Sequence, residues 1–129
     1  MTSGRFGLSQ IGQIHISVKD VKRAEAFYKD VLGMEHLFSY PGMAFFDAGG
    51  VRLFLSVPEK PEFDRTSILY YRVAGIEDAL ATLKKRGVKF TGSPHIVHQD
   101  ALHELWMAAF HDSEGNMLAM MEERPKKRA

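Results

Sequence analysis

Residues 13–18 alternate in polarity, with Ile14, Ile16 and Val18 on one side and Gln13, His15 and Ser17 on the other, the period of a half-buried strand. Asp20 is suited to an N-cap. The run 21–32 after it returns apolar residues at helical spacing and stops at Gly33. Three strand-like runs follow near 36–39, 43–47 and 51–57, divided by Tyr-Pro-Gly and Ala-Gly-Gly turns. The first half therefore predicts the order βαβββ. A polar loop, 58–66, precedes a second strand (68–73), a helix (76–86) and Gly87, then strands near 88–91, 104–111 and 116–121.

The second half repeats the first. Val18, Val21 and Ala24 map onto Val73, Ile76 and Ala79 with a constant offset of 55. Phe45, Asp47, Gly50, Leu53 and Leu55 map onto Phe110, Asp112, Gly115, Leu118 and Met120 with an offset of 65, the difference absorbed by a longer loop before the seventh strand. The chain thus reads as one α+β domain of two modules, about 11–58 and 66–123, followed by a basic tail, 124–129. One such module leaves an apolar sheet face uncovered, so two copies must cover each other or pair with another chain.

A length of 129 residues suits one domain with a core of its own. Seventeen Lys and Arg against sixteen Asp and Glu give no field that would gather nucleic acid or an anionic membrane. The absence of cysteine excludes disulfides, Cys-ligated zinc and thiol catalysis, and agrees with a reducing compartment. No apolar run approaches a membrane span or a signal-peptide core, so a cytoplasmic location is expected. The basic tail reads as a solvated end and is given no function.

The stretch from Ile14 to Gly33, with Asp20, Phe27-Tyr28 and Leu32-Gly33, resembles the opening strand and helix of vicinal oxygen chelate proteins, the glyoxalase/bleomycin-resistance/dioxygenase group. His111-Asp-Ser-Glu-Gly-Asn116 resembles the Asp-Pro-Asp-Gly-Asn turn before their last strand. The resemblance implies paired βαβββ modules forming a half-open barrel round a ligand cleft, commonly in a homodimer. It also implies where metal-using members hold an ion, on one position each of the first, fourth, fifth and eighth strands, with His and Glu as the usual ligands. Those positions here are Gln13, Phe54, Ile68 and Ala119. Hydrocarbon side chains cannot donate to a divalent cation, and one amide is a weak ligand, so no metal is expected at the usual site. The departure speaks against glyoxalase I and extradiol dioxygenase activity there.

His15 shares the inward strand face with Gln13 and is the candidate catalytic residue, as a general base or a ligand of a displaced metal site; it could equally be a hydrogen-bonded buried histidine. His95, His98, His103 and Glu104 fall in the long loop and at the entry to the seventh strand, where a lid would lie, although no metal-motif spacing links them. Tyr70 and Arg72 share the inward face of the fifth strand with Ile68, and Arg52 joins them if Phe54 points inward; arginine there favours an anionic group. Met107, Met117 and Met121 can line an adaptable pocket or simply fill core. Trp106 can stack on a ligand or serve packing.

Three readings follow. The first is a protein that binds a small molecule in a cleft through Gln13, His15, Arg52, Phe54, Ile68, Tyr70, Arg72, His103, Trp106, Met117 and Ala119, without a metal or other cofactor and as a homodimer. The second is a metal-dependent lyase, isomerase or dioxygenase using a displaced site that includes His15. The third is a dimerisation module whose cleft is filled by its own side chains.

Overall fold

The computed structural model describes residues 6–60, 64 and 66–126. Strand β1 (Gln13–Ser17) leads into α1 (Val21–Ala26), where the Asp20 side chain accepts from the Arg23 N–H at 3.1 Å and so caps the helix. The sequence predicts one helix over 21–32. Instead α1 widens into a π turn, Phe27–Val31, closed by the Leu32 N–H on the Phe27 carbonyl. Gly33 then takes φ of 70°, a conformation open to glycine at little cost, and the chain turns into β2 (Glu35–Tyr40), β3 (Met43–Ala48) and β4 (Val51–Ser56).

The second module runs β5 (Leu69–Arg72), α2 (Ile76–Lys85), β6 (His95–Gln99), β7 (His103–His111) and β8 (Met117–Pro125). Each module is a four-stranded mixed sheet, in the orders β1-β4-β3-β2 and β5-β8-β7-β6, with β1–β4 and β5–β8 parallel. The sixth strand is not where the sequence places it. Residues 88–91 contribute only a bridge between Phe90 and Phe110, while His95–Gln99, expected in a lid loop, pairs along β7. The repeat also needs one correction. Phe46 opposes Leu53 as Phe110 opposes Leu118, so the counterpart of Phe110 is Phe46 and not Phe45, the β7–β8 turn being longer by a residue.

Each helix covers one face of its own sheet. On that side Ile16, Leu53, Leu55 and Phe46 of the first sheet join Phe110, Leu118 and Met120 of the second in one core. Polar groups fasten the modules across it. The Tyr28 hydroxyl donates to Asp112 Oδ2 at 2.7 Å, and Asn116 Nδ2 donates to the Ser17 carbonyl at 2.8 Å. The Glu114 side chain, fully closed from solvent, accepts from the backbone N–H groups of Lys19 and Asp20, from Arg23 and from Ser113. Those donors hold its carboxyl at about 2, far below its ordinary value, with the Arg23 hydrogen bond the largest cause. Among the described residues no helix is long and apolar enough to cross a membrane.

Candidate functional site

Alternation along paired strands fixes what the opposite, helix-free face of each sheet presents. On the first sheet His15 pairs with Phe54, Phe54 with Phe45 and Phe45 with Phe38, so four rings form one row across β1, β4, β3 and β2. The centroids of Phe45 and Phe54 are 4.8 Å apart with planes 6° from parallel; Phe38 and Phe45 are 4.7 Å apart, and His15 and Phe54 5.0 Å. Rings in one plane could not approach to 4.8 Å without overlap, so Phe45 and Phe54 stack as parallel, offset plates, Phe45 buried and Phe54 partly open to the cleft. Phe38 reaches this face because the register shifts between His36 and Phe38. That bulge lets His36 lie against Phe46 on the helix side while Phe38, two residues on, faces the other way.

Arg52, beside Phe54 on β4, lays its guanidinium over the Phe38 and Phe45 rings at 5.6 and 5.8 Å from their centroids. Among the described residues no carboxylate lies within 4 Å of it. At the other end of the row His15 Nε2 meets Ser56 Oγ at 2.7 Å. Partial burial lowers the His15 pKa, which favours the neutral imidazole near pH 7. A cavity of about 600 Å³ opens here over Gln13, His15, Met43, Phe54 and Ser56, with Glu59 at its edge.

The second sheet's helix-free face carries Tyr70, Arg72, Met107, Met117, Ala119, Met121 and the exposed His103. Where the first sheet pairs Phe45 with Phe54, this one pairs Ala109 with Ala119, so it has a low floor and no ring row. Ile68 lies just outside β5 and is exposed. A further cleft, of about 580 Å³, brings Tyr70 and Arg72 beside Asp47 and Val51.

The predicted residues thus fall into two groups. Gln13, His15, Arg52 and Phe54 gather on the first sheet, while Tyr70, Arg72, His103, Met117 and Ala119 lie on the second. The cavity over Gln13 and Phe54 draws no wall from the second sheet, so Ile68 and Ala119 do not join them in it within one chain. Trp106 belongs to neither group. It opposes Glu122, donates to Glu104 at 3.0 Å and lies under the Arg124 guanidinium, because strand alternation from the buried Ala108 and Phe110 turns it to the helix side. Glu104 shares that side, while His103 lies on the helix-free face of the second sheet. Among the described residues no three His, Cys, Asp or Glu side chains converge as metal ligands. The sequence reading missed Phe38 and Phe45, whose alignment depends on register between strands far apart in sequence.

Comparison with known proteins places this geometry. A stretch of 42 residues is 52% identical to catechol-2,3-dioxygenase of Bacillus subtilis, spanning 31% of this chain and 15% of that protein. A glyoxalase/bleomycin resistance protein/dioxygenase superfamily member from Sphaerobacter thermophilus superposes with a TM-score of 0.74 at 25% identity, covering 89% of this chain and 98% of the other. Lactoylglutathione lyase from Agrobacterium tumefaciens has the same fold, with a TM-score of 0.71 at 21% identity over 89% and 94% of the two chains. The model of the Glyoxalase/Bleomycin resistance protein/Dioxygenase superfamily matches residues 10–120. With paired βαβββ modules, the matching turn at Asp112–Asn116 and this family match over most of its length, the chain belongs to the glyoxalase/bleomycin resistance protein/dioxygenase superfamily.

Proposed function

We propose that this protein binds a small organic molecule against the helix-free faces of its sheets, as a homodimer, with no divalent metal at the position used by metal-dependent relatives. The observation that carries the reading is the content of that surface. The four expected ligand positions hold Gln13, Phe54, Ile68 and Ala119, and a cavity of about 600 Å³ lined by aromatic and apolar groups lies over the first two, with the His15–Ser56 pair as its polar point. The donor set does not fit a hard or borderline cation, so neither activity named for the relatives is carried over to this chain. A dimer is supported by large side chains left in solvent on the helix-free faces, Tyr40 at 59% exposure and Tyr70 at 50%, beside Phe38, Met43 and Met117.

Light scattering at micromolar concentration is expected to give twice the chain mass. A chemically mixed fragment set followed by amide NMR should shift residues on the helix-free faces and not those round α2. Stoichiometric metal retained by untagged protein and lost in Gln13→Ala, or fragments that leave both faces unmoved, would overturn the reading.

A further inference from the structure

We propose that a flat aromatic carboxylate lies with its ring in the pocket at the His15–Phe54 end of the ring row and extends out of it along the row, so that its carboxylate is held by Arg52, whose guanidinium lies beyond the pocket's lining over Phe38 and Phe45. The inference rests on the reading of the helix-free face as a binding surface and names the ligand class. The row supplies the preference for a flat ring. At the pocket the partly buried His15 and Phe54 offer aromatic surface, and a flat ring packed on them gains the quadrupole contact of an aromatic pair in addition to buried area. A saturated ligand of equal size gains area alone.

Arg52 supplies the charge preference. Its cationic guanidinium lies over the Phe38 and Phe45 rings and has no carboxylate partner within 4 Å among the described residues. Its cross-strand neighbour Asp47 instead accepts the Gly50 N–H at 3.2 Å. His15 is not the anchor, because burial favours its neutral form. Orientation follows from the pocket's ends. Gln13 lines the pocket at the end nearest its strand partner Arg52, and Glu59, at the opposite end past Ser56, repels an anion, so the carboxylate points out of the pocket past Gln13 toward Arg52.

The test uses full-length protein and three probes of matched size: 2-naphthoate, its saturated decahydro counterpart, and the neutral 2-naphthalenemethanol. Calorimetry is expected to rank 2-naphthoate at least tenfold tighter than either comparison. Amide NMR should place it at Gln13, His15 and Phe54. Arg52→Gln should weaken 2-naphthoate tenfold or more and leave 2-naphthalenemethanol unchanged, and Phe54→Leu, which keeps an apolar side chain without the ring, should weaken both naphthyl probes about threefold to tenfold. Both variants are checked for the wild-type amide spectrum away from the pocket.

Equal affinity for the three probes, or variants that bind 2-naphthoate as the wild type does, overturns the inference. So does 2-naphthoate leaving Phe54 unmoved, including the case in which a second copy of the chain closes over the row. If mixed fragments then still shift Tyr70 or Ala119, the wider reading stands without this one. If no compound shifts either face, both fall.

Discussion

Glu114→Gln keeps the shape of a side chain that the fold closes off entirely and removes its charge. The carboxylate accepts from two backbone N–H groups, two nitrogens of Arg23 and the Ser113 hydroxyl, and these hold its folded pKa at about 2 against an ordinary 4.5. A gap of that size is linked to on the order of 3 kcal/mol of folding stability at neutral pH. Because the folded value is depressed, this contribution is complete above the unfolded value of 4.5 and is lost as pH falls through about 2. Less than half of it should survive at pH 3, by the same linkage. Glutamine supplies one acceptor and turns an NH₂ toward the remaining donors, so the variant should be roughly 2–4 kcal/mol less stable at pH 7. Urea unfolding followed by far-UV circular dichroism, repeated from pH 7 to pH 3, measures both curves. The difference between wild type and variant should shrink as the medium becomes acidic. A difference that stays constant over this range would refute the assignment of the low pKa to this group.

Tyr28→Phe removes the hydroxyl bonded to the buried Asp112, whose remaining donors are the Glu114 and Asn116 groups, and should cost about 1–3 kcal/mol in the same urea assay; a neutral result would show that the bond is not formed. Tyr71→Phe should behave oppositely, because its buried hydroxyl, pushed up to about 12 mainly by burial, has no hydrogen-bond partner among the described residues: the variant is expected to match or exceed wild-type stability by up to about 1 kcal/mol, and a loss above that would reveal a partner. The His15 ring signals should titrate below 6.5, as burial lowers its pKa, and a midpoint at or above 6.5 would contradict the buried geometry next to Ser56.

Much of the architecture is legible in local pattern. Alternation at 13–18 places His15 and Gln13 on the correct face, and the repeat brings Phe54 and Ala119 to corresponding strands. Two kinds of information are not local. Lys89-Phe90-Thr91 has the composition of a strand, but β7 is paired by His95–Gln99, a choice made by partner geometry; Phe90 reaches Phe110 through a single bridge. The facing of Trp106 likewise follows from Ala108 and Phe110 being buried, which outweighs any preference of the indole for a ligand. The ring row needs the register of four strands at once, and its last member depends on a bulge that simple alternation places on the wrong face. Its composition shows in the sequence as scattered phenylalanines and gives no sign of their alignment.

The bulge at Leu37 has a counterpart at Val97, where β6 shifts register between Ile96 and His98. Duplicated halves therefore keep the same device for re-aiming an edge-strand side chain, yet one aims a phenylalanine and the other a histidine. Together with the exchange of Phe45 and Phe54 for Ala109 and Ala119, this means the two copies have parted in chemistry while the ladder beneath them stayed in place. Selectivity can then be rewritten through a handful of outward side chains, without disturbing the interior that keeps the molecule folded. A scaffold of this kind separates what must be preserved from what is free to vary.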